Sequence, residues 1–212
     1  TVGNGKTLSQ MQPTLDAMAH RDPPYAVGYA GGAGILVRAE FIRVHELFDP
    51  HFFLYHEDTD LSLHAWLTGW QVVLAPQSII YHLYEFKRSI KNTYWIERNR
   101  WIVMLATFKL RTLLLIAPVF FTLEIGLVAF SLKSGWFRDK MRVYGYFLLP
   151  KNWTYLMKKR RALQAQRTMP DRTVTDKMVG RIDFQEVSNP LLSLANPIMD
   201  AYWKFVQRLI RW

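Results

Sequence analysis

Three carboxylates fall within four residues in the stretch Phe52-Phe53-Leu54-Tyr55-His56-Glu57-Asp58-Thr59-Asp60-Leu61, directly after a run of aromatic side chains. The apolar positions that follow recur at helical spacing and stop at Gly69, which predicts a short amphipathic helix. The carboxylates therefore lie at or near a helix N-terminus, where free backbone N–H groups and the helix dipole stabilise negative charge. Helix capping is the alternative to a functional acidic cluster, but capping needs only one such residue.

A glycine-rich turn precedes this stretch, with the sequence Gly28-Tyr29-Ala30-Gly31-Gly32-Ala33-Gly34. Glycine at this density lets a backbone approach a ligand closely, although a plain turn before a strand would have the same composition. No Gly-Lys-Ser/Thr follows, which excludes a P-loop. Strands are predicted over residues 35–38, 71–75 and 78–82, and a short helix over residues 39–47.

Positive charge is concentrated in the last third of the chain. Residues 1–137 carry 12 Lys and Arg against 11 Asp and Glu, whereas residues 138–212 carry 15 against 6. The second part therefore holds +9 of the net charge of +10, which indicates a phosphate-rich partner such as anionic lipid or nucleic acid. The chain has no cysteine, which excludes disulfides and thiolate metal sites.

Residues 113–132 form the most apolar segment, 20 residues in which Glu124 is the one charge. This length is sufficient to cross a bilayer, but Glu124 would be costly in lipid and needs a partner. Basic residues flank both ends, so a single span conflicts with the positive-inside tendency. A hairpin broken at Pro118 or Gly126, or a helix lying in the membrane interface, is favoured over a span. A buried core helix is the remaining alternative.

The C-terminal region is expected to be helical and membrane-associated. Helices are predicted over residues 87–110, over 153–167 with its basic run 158–161, and over 198–212, which has an apolar and a basic face. The aromatic side chains of this region suit a membrane interface. Nucleic acid is not expected as a partner, because the apolar segment 113–132 would have no role in binding it.

An ordered series of motifs carries a resemblance to a known family. The series covers residues 25–105 and consists of Gly31-Gly32-Ala33-Gly34-Ile35-Leu36-Val37-Arg38, Leu47-Phe48-Asp49-Pro50-x-Phe52-Phe53, Tyr55-x-Glu57-Asp58-x-Asp60-Leu61, Gly69-Trp70, Ala75-Pro76, Tyr81-His82 and Glu97-Arg98-Asn99-Arg100. It resembles the second half of the family 2 inverting glycosyltransferases. The closest resemblance is to bacterial rhamnosyltransferase-like members that act on lipid-linked glycans.

The resemblance implies an α/β fold, namely the C-terminal half of a GT-A nucleotide-sugar transferase sandwich, followed by membrane-associated α-helices. It implies that Asp58 is the general base that deprotonates an acceptor hydroxyl, which is a poor nucleophile while it keeps its proton. Glu57 is expected to orient the site, and Asp60 to cap the helix. The residues expected to bind donor or acceptor are Gly31, Gly32, Ala33, Gly34, Tyr55, Arg98 and Arg100.

A metal ion is also implied by the resemblance. His82 matches the histidine that helps to bind a divalent metal on the diphosphate in related enzymes, and Mg²⁺ or Mn²⁺ is the expected ion. A structural histidine at a strand end is the alternative for His82. For Arg98 and Arg100, the alternative to binding a diphosphate is a solvated helix face.

The nucleotide-binding half of the family's pattern is not among these residues, so we expect it in a preceding part of the protein or in a second chain. Residues 1–108 are predicted to be the C-terminal half of the catalytic domain, 109–135 a membrane-embedded or interface segment, and 136–212 a basic amphipathic helical tail. The expected function is transfer of a sugar, with rhamnose as one candidate, from a nucleotide diphosphate donor to a lipid-linked or cell-wall glycan. The expected location is the cytoplasmic face of the inner membrane. The alternatives are a non-catalytic glycosyltransferase-like subunit and a basic membrane-surface adaptor.

Overall fold

The computed structural model describes residues 23–80, 92–182 and 190–212, the last range with side chains from residue 194 onward. Within these ranges the chain forms β1 (Tyr25–Ala26), α1 (Ala39–Val44), α2 (Glu57–Leu67), β2 (Val73–Leu74), α3 (Thr93–Thr107), α4 (Leu110–Lys133), α5 (Phe137–Leu148), α6 (Pro150–Gln166), α7 (Asp171–Thr175) and α8 (Pro190–Leu209). The described part of the protein is therefore mostly helical.

The predicted α/β class is wrong, and the GT-A sandwich with it. The described residues contain a single sheet, in which β1 pairs with β2 in antiparallel orientation. The apolar run 35–38 is not a strand, and Leu36 within it is 100% exposed. Composition cannot distinguish a buried strand from an exposed apolar run, and the described residues offer this run no strand to pair with. Of the predicted strand 78–82, residues 78–80 are not in a strand and 81–82 lie outside the described residues.

The predicted helices are present with shifted ends. α2 begins at Glu57, earlier than the apolar pattern indicated, and ends before Gly69, whose φ of +89° is in the left-handed region typical of residues that follow helices. α6 begins at Pro150, where a missing N–H has no intrahelical bond to break. The helices predicted over 39–47, 87–110 and 153–167 run over 39–44, 93–107 and 150–166, with residues 87–91 outside the described part.

One cluster of buried apolar side chains connects the acidic stretch to the C-terminal helices. α3 packs against α5 and α6. Members of the cluster come from before α2, from α2, α3 and α6, and from α7: Phe52, Leu67, Ile102, Leu156 and Val174. Both sides of the predicted boundary at residues 108/109 thus contribute to one core, and the division into three parts stays a prediction.

α4 is one helix of 24 residues that continues through Pro118 and Gly126. The hairpin expected at those residues is therefore wrong. Only 6% of its most apolar window is buried, so the core-helix alternative is wrong as well. Among the described residues, α4 is the one helix long and apolar enough to cross a membrane. A span and a helix lying in the interface are the alternatives that remain.

Glu124, the one charged residue in the apolar segment of α4, has ionic partners on two neighbouring helices. Its carboxylate pairs with Arg100 of α3 and, at 2.7 Å, with Lys140 of α5. Glu97 of α3 pairs with Arg100 at 2.9 Å and also with Lys140, which is fully buried. Two carboxylates and two cations thus neutralise one another. These four residues, called the ion cluster below, join α3, α4 and α5.

Removing one charge from the ion cluster should destabilise the protein strongly. Lys140→Met leaves Glu97 and Glu124 with one cation between them, and breaking a buried ion pair by removing one partner costs about 3–5 kcal/mol. We expect a loss of this size in the free energy of unfolding, measured by urea titration and circular dichroism. Lys151→Met, at an exposed position of α6, is the control and should stay within about 0.5 kcal/mol of the wild type. Equal stability of the two variants would show that the cluster does not hold the helices together.

Candidate functional site

The glycine turn lies against the carboxylate of Asp58. The Gly32 N–H donates to Asp58 Oδ2 at 2.9 Å, across 26 residues of sequence. A Cβ added at Gly32 would lie 3.5 Å from the Cβ of Asp58. The turn closes on itself through the Gly34 N–H, which donates to the Gly31 carbonyl at 3.2 Å. The structure therefore brings together two elements that the sequence singled out separately.

α2 supports the turn along its whole length. The Ser62 hydroxyl accepts the Ala30 N–H at 3.1 Å and donates to the Asp58 carbonyl at 2.8 Å. Near the end of α2, the indole N–H of Trp66 donates to the Val27 carbonyl at 3.1 Å. Asp58, Ser62 and Trp66 are four residues apart, which places them on one side of the helix. Val27, Ala30 and Gly32, which lie before and within the glycine turn, bind to that side of α2.

Three residues in the loop immediately before α2 have left-handed backbone conformations. Phe53, Tyr55 and His56 have φ angles of 60°, 65° and 65°, a region that residues other than glycine seldom adopt. Such conformations persist where the surrounding structure enforces them, and they are concentrated at functional sites. We call residues 52–56 the strained loop.

Asn99 of α3 supplies the contacts that hold the strained loop. Its amide nitrogen lies 3.0 Å from the carbonyl oxygen of Phe52 and 2.8 Å from those of Leu54 and Tyr55. Its side-chain oxygen accepts hydrogen bonds from Arg98 Nε at 2.9 Å and Nη2 at 2.7 Å. Asn99 is fully buried. One side chain thereby satisfies the carbonyl groups of a loop that forms no regular ladder.

Arg98 lies beneath the loop, and the predicted solvated helix face is wrong for it, because the residue is 4% exposed. Its guanidinium donates to the carbonyl of His51 at 2.5 Å and to that of Phe52 at 3.3 Å. It also lies over the ring of Trp95, 4.4 Å from the centroid. Arg100 pairs within the ion cluster. Both guanidinium groups are thus engaged by groups of the protein.

Tyr55 and Gly34 border the site, and Ala33 belongs to the glycine turn. Tyr55 is half-buried within the strained loop. Gly34 lies so close to the side chain of Ile80 that an added Cβ would displace it. His82 falls outside the described residues. In the described ranges, no group of three His, Asp or Glu side chains is placed to hold a metal ion.

The two residues that precede Asp58 have altered proton affinities. Burial raises the pKa of Glu57, and the negative charge of Asp58 raises it further. Oε2 of Glu57 is buried without a hydrogen-bond partner among the described residues. Burial lowers the pKa of His56, although the charge of Asp58 opposes this change. The first turn of α2 thus places beside Asp58 a carboxyl group that keeps its proton to a higher pH than usual.

Asp60 has an ionic partner that the sequence pattern did not indicate. α2 has no side-chain cap, so the prediction that Asp60 caps it is wrong. Asp60 pairs with Lys159 of α6 at 2.8 Å, and Lys159 pairs with Asp49 at 3.0 Å. The Tyr155 hydroxyl donates to Asp49 at 2.6 Å. The basic run 158–161 thus contributes a cation to the base of the site, a contact across 99 residues that no local pattern signals.

Comparison with known proteins identifies the family. A family model described as Glycosyltransferase (GlcNAc) matches residues 7–173, more than three quarters of the chain. The chain belongs to this glycosyltransferase family. No curated protein and no solved structure was found to match it.

The family match confirms the predicted glycosyltransferase and extends it along the chain. It includes the glycine turn, the strained loop, α2 and the ion cluster, and it continues to residue 173, beyond the motif series that ended at residue 105. It gives no support to family 2 or to a rhamnosyltransferase. The helices α3 to α6 are therefore part of the family's domain, and they contribute to one core with α2.

Truncation of Asn99 should release the strained loop. Asn99→Ala leaves the carbonyl groups of Leu54 and Tyr55 without this donor, while Phe52 keeps its bond from Arg98. Each buried group left unpaired costs about 1 kcal/mol or more, so we expect the free energy of unfolding to fall by about 2 kcal/mol. Limited proteolysis with chymotrypsin should then cut after Phe53 and Tyr55, because local opening lets the backbone of the loop enter the protease's active site.

Asn196→Ala is the matched control, since it removes hydrogen bonds to Ile182 at 3.0 Å and 3.2 Å and none to the loop. Its loop should resist cleavage as in the wild type. A resistant loop in Asn99→Ala would show that other contacts hold these backbone conformations.

Proposed function

We propose that this chain carries the acceptor-activating centre of the glycosyltransferase, with Asp58 as the general base. The observation that carries the proposal is the contact of the Asp58 carboxylate with the glycine turn at the N-terminus of α2. A sugar hydroxyl attacks an anomeric carbon poorly unless its proton leaves as the new bond forms, and a positioned carboxylate serves that purpose. Membership of the family supports sugar transfer as the reaction.

In the proposed step, the acceptor oxygen bonds to the anomeric carbon while its proton passes to Asp58. The bond from the anomeric carbon to the nucleotide diphosphate breaks, and its electron pair leaves with the diphosphate. This single displacement inverts the anomeric configuration. The Gly32 N–H on Oδ2 at 2.9 Å and the Thr59 N–H on Oδ1 at 2.7 Å orient the carboxylate. Oδ1 also accepts the Thr59 hydroxyl at 3.4 Å, whereas Oδ2 keeps a further lone pair for the incoming hydroxyl.

Neighbouring residues have supporting roles in the proposal. Glu57, directly before Asp58, orients the acceptor, and Tyr55 contacts it from the strained loop. The turn supplies backbone groups to donor or acceptor through Gly31, Gly32, Ala33 and Gly34. Arg98 and Asn99 act as positioning residues, because they touch the loop that leads into the site.

The proposed donor is a nucleotide diphosphate carrying N-acetylglucosamine, because the family's description names that sugar. Rhamnose, suggested by the motif resemblance, has no such support. The proposed acceptor is a lipid-linked or cell-wall glycan at the cytoplasmic face of the inner membrane, and the apolar helix α4 is the observation that points to a membrane. Mg²⁺ or Mn²⁺ would accompany the diphosphate. The described residues offer it no ligand set, so no step is assigned to it.

A non-catalytic, glycan-binding or anchoring subunit is the second candidate, and one observation favours it. Arg98 and Arg100, the cations predicted to reach a diphosphate, are engaged by backbone carbonyls and by the ion cluster. In the catalytic proposal, residues elsewhere in the native polypeptide or in a second chain hold the diphosphate. Equilibrium binding of UDP-N-acetylglucosamine to the native protein distinguishes the two candidates.

Replacement of the proposed base should abolish transfer and leave the protein folded. Asp58→Asn keeps the side-chain shape and an acceptor for the Gly32 N–H, but an amide cannot take the proton. We expect turnover to fall by about 10²–10⁴-fold, the usual contribution of a general base. The assay follows transfer of labelled N-acetylglucosamine to membrane glycans by the native full-length protein, and circular dichroism reports the fold.

Asp176→Asn, which neutralises a half-exposed carboxylate on the surface, is the control and should transfer as the wild type does. Wild-type turnover by Asp58→Asn would remove Asp58 from the mechanism.

A further inference from the structure

α4 exposes a straight stripe of apolar side chains. Its members are four or seven positions apart, which places them on one side of a helix: Leu110, Leu114, Phe121, Ile125 and Leu132. Ile125, in the second half of the helix, is 74% exposed. At 1.5 Å per residue the stripe is about 33 Å long.

Polar side chains of α4 face the protein. The three residues of this helix that are buried are all polar, namely Thr112, Glu124 and Ser131. On the surface of a soluble domain a helix has the opposite arrangement, with its apolar stripe toward the core. Polar groups turned inward and apolar groups turned outward are expected of a helix surrounded on its outer side by lipid.

The protein is packed against the inner side of α4 at its start and at its middle. The Thr112 hydroxyl donates to Asp171 at 2.5 Å near the N-terminal end. Glu124 pairs with Lys140 of α5 at 2.7 Å further along. If α4 crossed a bilayer, α5 would lie at the depth of the hydrocarbon core with Arg142, whose side chain is 59% exposed. A charged side chain there is costly, so the packing favours α4 lying along the membrane surface.

Both ends of the stripe carry residues that prefer the membrane interface. At the N-terminal end, the indole N–H of Trp212 donates to the Thr112 hydroxyl at 3.0 Å, and Arg111 lies over the Trp212 ring at 5.5 Å. Trp136 and the exposed Lys133 lie at the other end. Tryptophan is enriched at headgroup level, and Lys and Arg bind anionic headgroups. The acyl chains of an anionic leaflet therefore match the apolar stripe, and its negative headgroups match the basic residues at the two ends of the stripe.

α8 adds a second exposed apolar stripe next to α4. The Tyr202 hydroxyl donates to the Leu115 carbonyl of α4 at 2.6 Å, so the two helices are neighbours. The exposed apolar residues of α8 are again four or seven positions apart: Leu194, Ile198, Phe205 and Leu209.

We propose that α4 lies in the plane of an anionic membrane leaflet, with its apolar stripe at the acyl boundary, and does not cross the bilayer. The ion cluster then lies on the protein side of the helix, away from lipid. This inference deepens the membrane part of the proposed function. Its test measures binding and depth without sugar transfer, so the two proposals can fail separately.

Flotation of the full chain with vesicles tests the surface. The vesicles are phosphatidylcholine with and without phosphatidylglycerol, and we expect stronger binding to the anionic ones, weakened by salt. The double variant Phe121→Glu/Ile125→Glu changes exposed positions only and should bind about tenfold less or weaker still. Val44→Glu/Val179→Glu, also at exposed positions, is the control and should bind as the wild type. Undiminished binding by the stripe variant would overturn the proposal.

Because the chain has no cysteine, single labelled cysteines can report depth. Leu114→Cys, Phe121→Cys and Leu132→Cys, each carrying an environment-sensitive dye, should be quenched alike by lipids brominated near the headgroup end of the acyl chain. A spanning helix would make Phe121→Cys the deepest and would overturn the proposal. A second result would also overturn the proposal: no binding to vesicles, and a dimer in solution that dissociates in the Phe121→Glu/Ile125→Glu variant. A second copy of the chain would then cover the stripe.

Discussion

The pairing of Glu97, Arg100, Glu124 and Lys140 is the contact on which the arrangement of the helices depends. Each charge alone would be expensive to remove from water, and the four together are neutral. The Tyr144 hydroxyl and the Trp101 indole add hydrogen bonds to Glu124 at 3.0 Å and 3.2 Å. This neutralisation lets an otherwise apolar helix place a carboxylate against the protein, and it determines which side of α4 faces outward.

α3 connects the ion cluster to the candidate site within four consecutive residues. Successive helix residues point about 100° apart, so positions three apart share a side. Glu97 and Arg100 accordingly meet in the cluster, while Arg98 and Asn99 reach the strained loop. The Glu-Arg-Asn-Arg motif thus connects the apolar helix α4 to the loop that leads to Asp58. Neighbouring residues of this motif bind different parts of the protein, although they are consecutive in the sequence.

The sequence predicted what depends on local pattern. The helix after the acidic cluster, its end at Gly69 and the need of Glu124 for a partner all follow from spacing and charge, and the structure has each of them. Of the predicted strands, 71–75 is present in part, as β2. Residues 35–38 form no strand: Leu36 is fully exposed, while Ile35 and Val37 are partly buried against a core cluster without pairing to a neighbouring strand. Arg98 and Asp60 differed from expectation for another reason. Their partners, the His51 carbonyl and Lys159, are 47 and 99 residues away, and only the folded chain brings them near.

The pairing of Asp60 with Lys159 also bears on how the protein is made. At a synthesis rate of about 5–20 residues per second, roughly 5–20 s pass between the two residues. During that interval the first turn of α2 carries its carboxylates without the lysine that later neutralises Asp60 and Asp49. The base of the site therefore closes only after α6 has left the ribosome. Until then the nascent chain holds an unpaired acidic turn beside Phe52, whose ring is covered only when Leu156 of α6 joins the same core.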